Sequence, residues 1–170
     1  MELIDSKPVH DGHTIDVAVK RYRRADGEEV TREVVEHPGS VAILAYDEEA
    51  VFLVRQPREA VEADGLLEIP AGTLEPGEPP LDCAKRELAE EVGLAASEWR
   101  ELKRVHTSPG VISEVATLFA ATGLSPASGQ QDEDERIEVV RLPRAELEAA
   151  LERITDATTL VALLLLLRGY

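Results

Sequence analysis

Three glutamates, Glu87, Glu90 and Glu91, are spaced so that an α-helix would bring them together. Residues at i, i+3 and i+4 share one face of a helix. Three negative charges side by side repel one another and raise one another's pKa unless a cation compensates them. Mg²⁺ and Mn²⁺ prefer carboxylate oxygens and complete their coordination with water and phosphates. The spacing therefore favours a metal-binding helix face, although an arbitrary acidic helix is more often a solvated face.

Residues on either side of this face suit the same chemistry. Arg86 adjoins it, and a planar guanidinium can orient a carboxylate through a bidentate hydrogen bond. Gly72 allows the backbone to approach closely, and Ala71 offers a carbonyl oxygen to the same site. These neighbouring residues support the prediction of a metal-binding site at the three carboxylates.

The spacing of these residues follows a known order. Five residues separate Gly72 from Glu78, seven more separate Glu78 from Arg86, and residues 86–94 read Arg-Glu-Leu-Ala-Glu-Glu-Val-Gly-Leu. This order matches the Nudix box, GX5EX7REUXEEXGU with U aliphatic, at every fixed position. The chain is therefore identified as a member of the Nudix hydrolase superfamily.

This resemblance implies a fold, a reaction and a set of metal ligands. Nudix hydrolases have an α/β/α sandwich with a mixed sheet, and they hydrolyse a nucleoside diphosphate linked to another moiety. The box helix holds the divalent cations, Mg²⁺ or Mn²⁺, with two or more ions per site when substrate is bound. Carried over by residue, Glu87 and Glu91 are the principal metal ligands, Glu90 shares or bridges the metals, and the Ala71 carbonyl adds a ligand. Arg86 completes the catalytic set.

Outside the box, three features resemble the ADP-ribose pyrophosphatase branch. Residues 66–72, Leu-Leu-Glu-Ile-Pro-Ala-Gly, lead into the box and follow Arg-Gln-Pro-Arg at 55–58. Pro109, within the segment 108–114, lies fifteen residues beyond Leu94, where ADP-ribose hydrolases carry a marker proline. Residues 1–40 resemble the region that this branch exchanges between the subunits of a homodimer. The resemblance implies cleavage of ADP-ribose to AMP and ribose 5-phosphate.

Four residues near these markers are candidate substrate ligands. The Arg58 guanidinium suits two phosphate oxygens, and its alternative is a surface ion pair with Glu59 or Glu62. Glu68 and Glu114 are candidates for ribose hydroxyls or a metal-bound water, or else they are hydrogen-bonded structure at strand ends. Ser108, at the start of the second marker, is counted with them.

The general base is expected in the acidic loop 130–136. The resemblance places a carboxylate base in the loop before the last strand, and alignment of that strand points to Glu133 or Glu135. A solvated acidic loop is an equal alternative for either residue.

The elements that position these residues follow from apolar patterning. Alternating runs at 14–19 and 30–35 flank a turn at 24–27 and predict an N-terminal β-hairpin. Apolar stretches predict strands at 41–46, 51–54, 66–69, 100–107, 115–121 and 137–142, and helices are predicted at 80–92, 143–154 and 156–167. Strands interleaved with helices indicate an α/β fold with a mixed sheet and helices on both faces. We expect a 1–40 hairpin region for dimerisation and a 41–170 hydrolase domain.

Composition restricts the partners. The chain has 170 residues, with 34 acidic and 18 basic side chains and a net charge of −16, so nucleic acid and anionic membranes are poor partners. A single cysteine and no recognisable signal peptide predict a cytoplasmic protein. The longest apolar run, 160–167, is too short to span a bilayer.

Other functions remain open at this point. Within the superfamily, the substrate is alternatively another ADP-sugar, NADH or a dinucleoside polyphosphate. Outside catalysis, the chain is alternatively a sensor that binds ADP-ribose, or a structural dimer module. The intact box favours an enzyme, because a binding protein has less need of three metal-binding carboxylates.

Overall fold

The computed structural model describes residues 1–12, 15–129 and 136–170. In these residues the strands and helices do not alternate regularly: strands come first, one helix lies between two groups of strands, and two helices close the chain. In the described residues the strands are β1 Glu2–Asp11, β2 Asp16–Arg23, β3 Glu29–Glu36, β4 Ser40–Tyr46, β5 Ala50–Arg58, β6 Ala63–Glu68, β7 Ala71–Thr73, β8 Leu94–His106, β9 Val115–Pro126 and β10 Glu138–Pro143. The helices are α1 Pro80–Val92, α2 Leu147–Leu151 and α3 Ala157–Leu167.

The larger sheet is mixed, with the order β10-β5-β4-β9-β8. Strands β4 and β9 run parallel, and the other neighbouring pairs are antiparallel. Alternate residues of β4 serve the two faces: Val41 and Ile43 pack with α1, whereas Ala42 and Leu44 pack with α2 and α3. The expected α/β/α sandwich with a mixed sheet is therefore confirmed.

Helix α1 has the predicted bounds and clear end signals. Helix α1 begins at Pro80, where the lack of an N–H costs nothing because N–H groups of the first turn have no partner within the helix. It ends at Gly93, which has a φ of 70°. The Gly93 N–H donates to the Ala89 carbonyl at 3.1 Å. Buried Cys83 and Leu88 hold one side of α1 against the sheet. Glu91 is buried on this same side of the helix, so the acidic residues lie where α1 meets the strands.

The larger sheet splits where β4 and β5 separate. Ala45 and Tyr46 of β4 pair with β5, whereas residues 40–42 pair with β7. Strand β5 pairs in turn with β6. Residues 69–71, which we call the crossing segment, pass from β6 to β7 across this split. The split places the backbone just before the Nudix box between two diverging strands.

Several predicted bounds were wrong. The helix expected at 143–154 is a 3₁₀ turn followed by the short α2, because the chain leaves helical pairing to bury Ile154 in the core. Strand β8 starts at Leu94, directly after the helix-ending glycine, and not at residue 100. Strand β1 was not predicted, because its ten residues are almost entirely exposed and lack an apolar alternation.

Strands β1, β2 and β3 form a separate antiparallel sheet. Val35 of this sheet bonds to the segment 111–113: its N–H donates to the Val111 carbonyl at 2.8 Å, and its carbonyl accepts from Ser113 N at 3.0 Å. Most residues of β1 and β3 are exposed or half-buried. Within the part of the chain that the structure describes, no helix combines the length and apolarity needed to cross a membrane.

Candidate active site

A cleft of about 690 Å³ opens beside the crossing segment, within the size range of small-molecule sites. Helix α1, strands β4 to β7 and the turn after β8 contribute to its walls. The sequence-predicted residues that line it are Arg58, Glu68, Ala71, Arg86, Glu87, Glu91, Ser108 and Glu114. Glu90 instead lines a neighbouring cavity of about 320 Å³, which it shares with Glu91. Glu133 and Glu135 lie outside the described residues.

Arg86 organises the carboxylates around α1. Its Nε and Nη2 donate to the two oxygens of Glu78, each at 3.1 Å, so the bidentate partner is Glu78 and not a helix carboxylate. The Arg86 Nη1 donates to Glu87 Oε1 at 2.7 Å and to Glu90 Oε2 at 3.0 Å. One guanidinium thus holds three carboxylates and compensates part of the repulsion expected from the sequence.

These contacts change the acidity of the groups involved. The hydrogen bonds from Arg86, and then that from the Glu75 N–H, lower the pKa of Glu78 to about 2. The hydrogen bond to Glu78 is also the main cause that raises the pKa of Arg86. Both groups are therefore charged at neutral pH, as their ion pair requires.

Gly72 is required by the close approach of Glu87. A Cβ at position 72 would lie 1.9 Å from Glu87 Oε1 and 2.0 Å from Glu87 Cδ. Any side chain would displace the carboxylate. The glycine of the box thus makes room for one of the predicted metal ligands.

Glu91 is buried, with 3% of its surface exposed, and its Oε2 accepts the Ala71 N–H at 2.9 Å. The acidic face of α1 (Glu87, Glu90 and Glu91) supplies oxygen donors of the kind that Mg²⁺ and Mn²⁺ prefer, so the donor set fits such an ion. Within residues 1–12, 15–129 and 136–170, no three acidic, cysteine or histidine side chains converge as a ready-made metal centre. The donor chemistry is present while Arg86 binds two of the donors.

Arg58 and Glu68 form a hydrogen-bonded pair across strands β5 and β6. Arg58 Nη2 donates to Glu68 Oε2 at 2.8 Å, and Arg58 Nε lies 3.2 Å from Oε1. Buried Gln56 also donates to Glu68 Oε2, at 3.1 Å. Burial lowers the pKa of Arg58, but Glu68 outweighs this effect, and the net pKa is raised. The alternative of an Arg58 ion pair with Glu59 or Glu62 is not what the structure shows, since the partner is Glu68.

Glu114 is oriented by two hydroxyl groups at the other side of the cleft. Ser40 Oγ and Thr107 Oγ1 each donate to one of its carboxylate oxygens at 2.5 Å. The Ser108 carbonyl accepts from the N–H groups of Val111 and Ile112, which closes the turn next to Glu114. The hydroxyl groups of Ser40 and Thr107 thus hold the Glu114 carboxylate at the cleft wall.

The start of α3 also reaches the cleft, which the sequence did not indicate. Asp156 caps the helix by accepting from the Thr159 N–H at 2.7 Å, and Asp156 and Thr158 line the cavity. The Thr159 hydroxyl accepts from the Ile69 N–H at 2.9 Å. Gln56 could have been predicted as a cleft residue, because it lies two residues before Arg58 in the segment 55–58. Nothing in the sequence pointed to Thr159.

Comparisons with known proteins agree with this geometry. The model of the NUDIX domain matches residues 36–163. An ADP-ribose pyrophosphatase of Bacillus subtilis (strain 168) is 36% identical over 165 residues, covering 94% of this chain and 89% of the relative. A methanol dehydrogenase activator of Bacillus methanolicus is 35% identical over 167 residues, covering 94% and 88%. A solved structure described as an ADP compounds hydrolase superposes with a TM-score of 0.84 at 26% identity, covering 98% of this chain and 91% of that one.

The sandwich, the cleft and the acidic helix define a hydrolase of nucleoside diphosphate derivatives. The chain belongs to the Nudix family, as the box predicted. Within that family it is similar to ADP-ribose pyrophosphatases.

Proposed function

We propose that this protein hydrolyses the pyrophosphate bond of ADP-ribose to AMP and ribose 5-phosphate, with Mg²⁺ or Mn²⁺ as cofactor. The observation that carries the proposal is the cleft that joins Glu87 and Glu91 of α1 to Arg58. Its described lining holds more carboxylates than arginines. A pyrophosphate would be repelled from such a cleft unless cations accompanied it. The similarity to ADP-ribose pyrophosphatases supports the choice of substrate.

The metal would be held by Glu87, Glu90 and Glu91, with the Ala71 carbonyl as a further ligand. When bound, such ions neutralise phosphate charge and lower the pKa of a water molecule that can attack phosphorus. The buried position of Glu91 and its bond to the Ala71 N–H fix one ligand relative to the other. Arg86 orients Glu87 and Glu90 through Nη1, while Nε and Nη2 of Arg86 donate to Glu78. The Nη1 bonds can therefore be replaced by a metal ion while Arg86 stays bonded to Glu78.

The remaining residues bind and orient the substrate. Arg58, held by Glu68, presents a planar cation to the phosphates. Glu114 has its oxygens fixed by Ser40 and Thr107 and is placed to accept a ribose hydroxyl, with Ser108 beside it. Water oxygen forms a bond to phosphorus while the bridging P–O bond breaks. Glu133 or Glu135 remains our proposed acceptor of the water proton.

The test is product identification by chromatography. The purified protein is incubated with ADP-ribose, ADP-glucose, NADH and diadenosine polyphosphates, with Mg²⁺, with Mn²⁺ and with EDTA. We expect AMP and ribose 5-phosphate from ADP-ribose, fastest by kcat/KM, and no turnover in EDTA. Faster cleavage of another compound would replace ADP-ribose as the proposed substrate and leave the protein a Nudix hydrolase. Binding of ADP-ribose without cleavage of any compound would favour the sensor instead.

We also propose that residues 1–40 form a dimerisation region. Most residues of β1 and β3 are exposed in one chain, and Val35 of β3 bonds to the segment 111–113. Such a sheet gains stability when a second copy covers it. Sedimentation equilibrium tests this: we expect a dimer, and a monomer at micromolar concentration would exclude it. A cytoplasmic location remains our expectation from the single cysteine and is tested by cell fractionation.

A further inference from the structure

The crossing segment, residues 69–71, is bonded from both faces of the larger sheet. The Ile69 N–H donates to the Thr159 hydroxyl of α3, and the Ala71 N–H donates to Glu91 of α1, each at 2.9 Å. Between them, Pro70 has no N–H, and its carbonyl accepts from Ile43 N at 2.7 Å. Both backbone donors of the segment are therefore bound by helix side chains, one from each helix layer.

Thr159 is well suited to act as a fixed acceptor. The side chain is fully buried, and its hydroxyl lies 2.7 Å from Asp156 Oδ2. An ionised carboxylate only accepts hydrogen bonds, so the single hydroxyl proton goes to Asp156. The oxygen lone pairs of Thr159 are then directed to the Ile69 N–H. Asp156 also accepts from Thr159 N, which holds the residue in place at the first turn of α3.

We propose that Thr159 is a positioning residue for the acidic face of α1. By binding the Ile69 amide it fixes the crossing segment, and with it the Ala71 amide that holds Glu91. The inference rests on the proposed function, in which Glu91 is a metal ligand. Without the hydroxyl, a buried N–H would lose its acceptor, and the segment would shift or open to recover one. Thr159 therefore acts on the site from the opposite face of the sheet without touching substrate.

The first test measures amide hydrogen exchange by NMR in Thr159→Val, which keeps the side-chain shape but removes the hydroxyl. We expect faster exchange at Ile69 and also at Ala71, although the acceptor of Ala71 is unchanged. Leu163→Val is the matched control, because Leu163 is fully buried one turn along α3 and only packing is reduced. Thr159→Ser should restore slow exchange. Wild-type exchange at Ala71 in Thr159→Val would overturn the proposal, as would equal acceleration in the control.

The second test measures Mn²⁺ binding by electron paramagnetic resonance without substrate. We expect affinity about 10-fold weaker in Thr159→Val, the lower end of the loss found when groups behind metal ligands are removed. The control should bind as the wild type does, and Thr159→Ser should recover most of the affinity. Unchanged Mn²⁺ affinity in Thr159→Val would refute the proposal.

A replacement variant and a separate assay distinguish failure of the Thr159 proposal from failure to fold and from failure of the proposed function. Thr159→Ala, with its better helix propensity, replaces the valine variant if the latter does not fold. Hydrolysis by the wild-type protein judges the proposed function, whereas exchange at Ala71 judges Thr159 whether or not the wild type turns over ADP-ribose. If the wild-type protein does not hydrolyse ADP-ribose but exchange at Ala71 is faster in Thr159→Val, only the proposed reaction is excluded. Thr159 then still anchors the crossing segment.

Discussion

Replacement of Gly72 by alanine should displace Glu87 and nearly abolish turnover. The new Cβ would lie 1.9 Å from Glu87 Oε1, whereas ordinary contact begins near 3.4 Å. The carboxylate must therefore move by about 1.5 Å and lose its 2.7 Å bond from Arg86 Nη1. A misplacement of about 1 Å can reduce the rate by roughly 100-fold, so we expect kcat to fall by about that factor or more.

The assay is kcat for AMP release from ADP-ribose at saturating Mg²⁺, with circular dichroism to verify folding. Gly65→Ala is the matched control, because its Cβ would meet only the Arg55 side chain, at 3.1 Å, and that side chain is exposed and able to move. The control should retain nearly normal kcat. A folded Gly72→Ala protein with wild-type kcat would show that the position of Glu87 does not control the reaction.

Three other perturbations test separate parts of the site. Glu87→Gln and Glu91→Gln should each lower kcat by roughly 2 to 4 orders of magnitude in steady-state assays, and near-normal rates in both would contradict their role as metal ligands. Arg58→Lys keeps the charge but loses the planar fork, so the KM for ADP-ribose should rise about 10-fold with a smaller change in kcat; an unchanged KM would remove Arg58 from substrate binding. Because the folded-state pKa of Glu78 is about 2, against an ordinary 4.5, its ionised form stabilises the folded protein above pH 4.5, and this contribution is lost as the pH falls toward 2. Glu78→Gln should therefore flatten the pH dependence of the free energy of unfolding in that window, measured by denaturant titration, and an equally steep dependence would oppose the assignment.

Local signals in the sequence were sufficient for the fold class and for the acidic helix. Pro80 and Gly93 mark both ends of α1, and the helical spacing of Glu87 and Glu91 brings them into one cleft. Such preferences depend on contacts between residues close in sequence, so they do not require knowledge of the tertiary structure. The same spacing had predicted that these carboxylates share one face of a helix.

Contacts between distant elements could not be predicted. The partner of Arg58 depends on the pairing of β5 with β6, and the apolar patterns do not determine the register of that pairing. The bidentate partner of Arg86 depends on how the loop before α1 folds back. Thr159 is one of several polar residues at a helix start, and only tertiary packing sets it apart.

The bond between Ile69 and Thr159 joins residues that are 90 positions apart, whereas Ala71 and Glu91 are 20 positions apart. During synthesis on the ribosome, the Nudix box is therefore complete long before α3 has left the exit tunnel. Domains tend to fold as units once their distant contacts can form. A nascent chain that ends before residue 157 carries every residue of the box but lacks the hydroxyl that fixes the crossing segment. Completion of the candidate site thus depends on the arrival of α3, and unfinished chains should remain inactive.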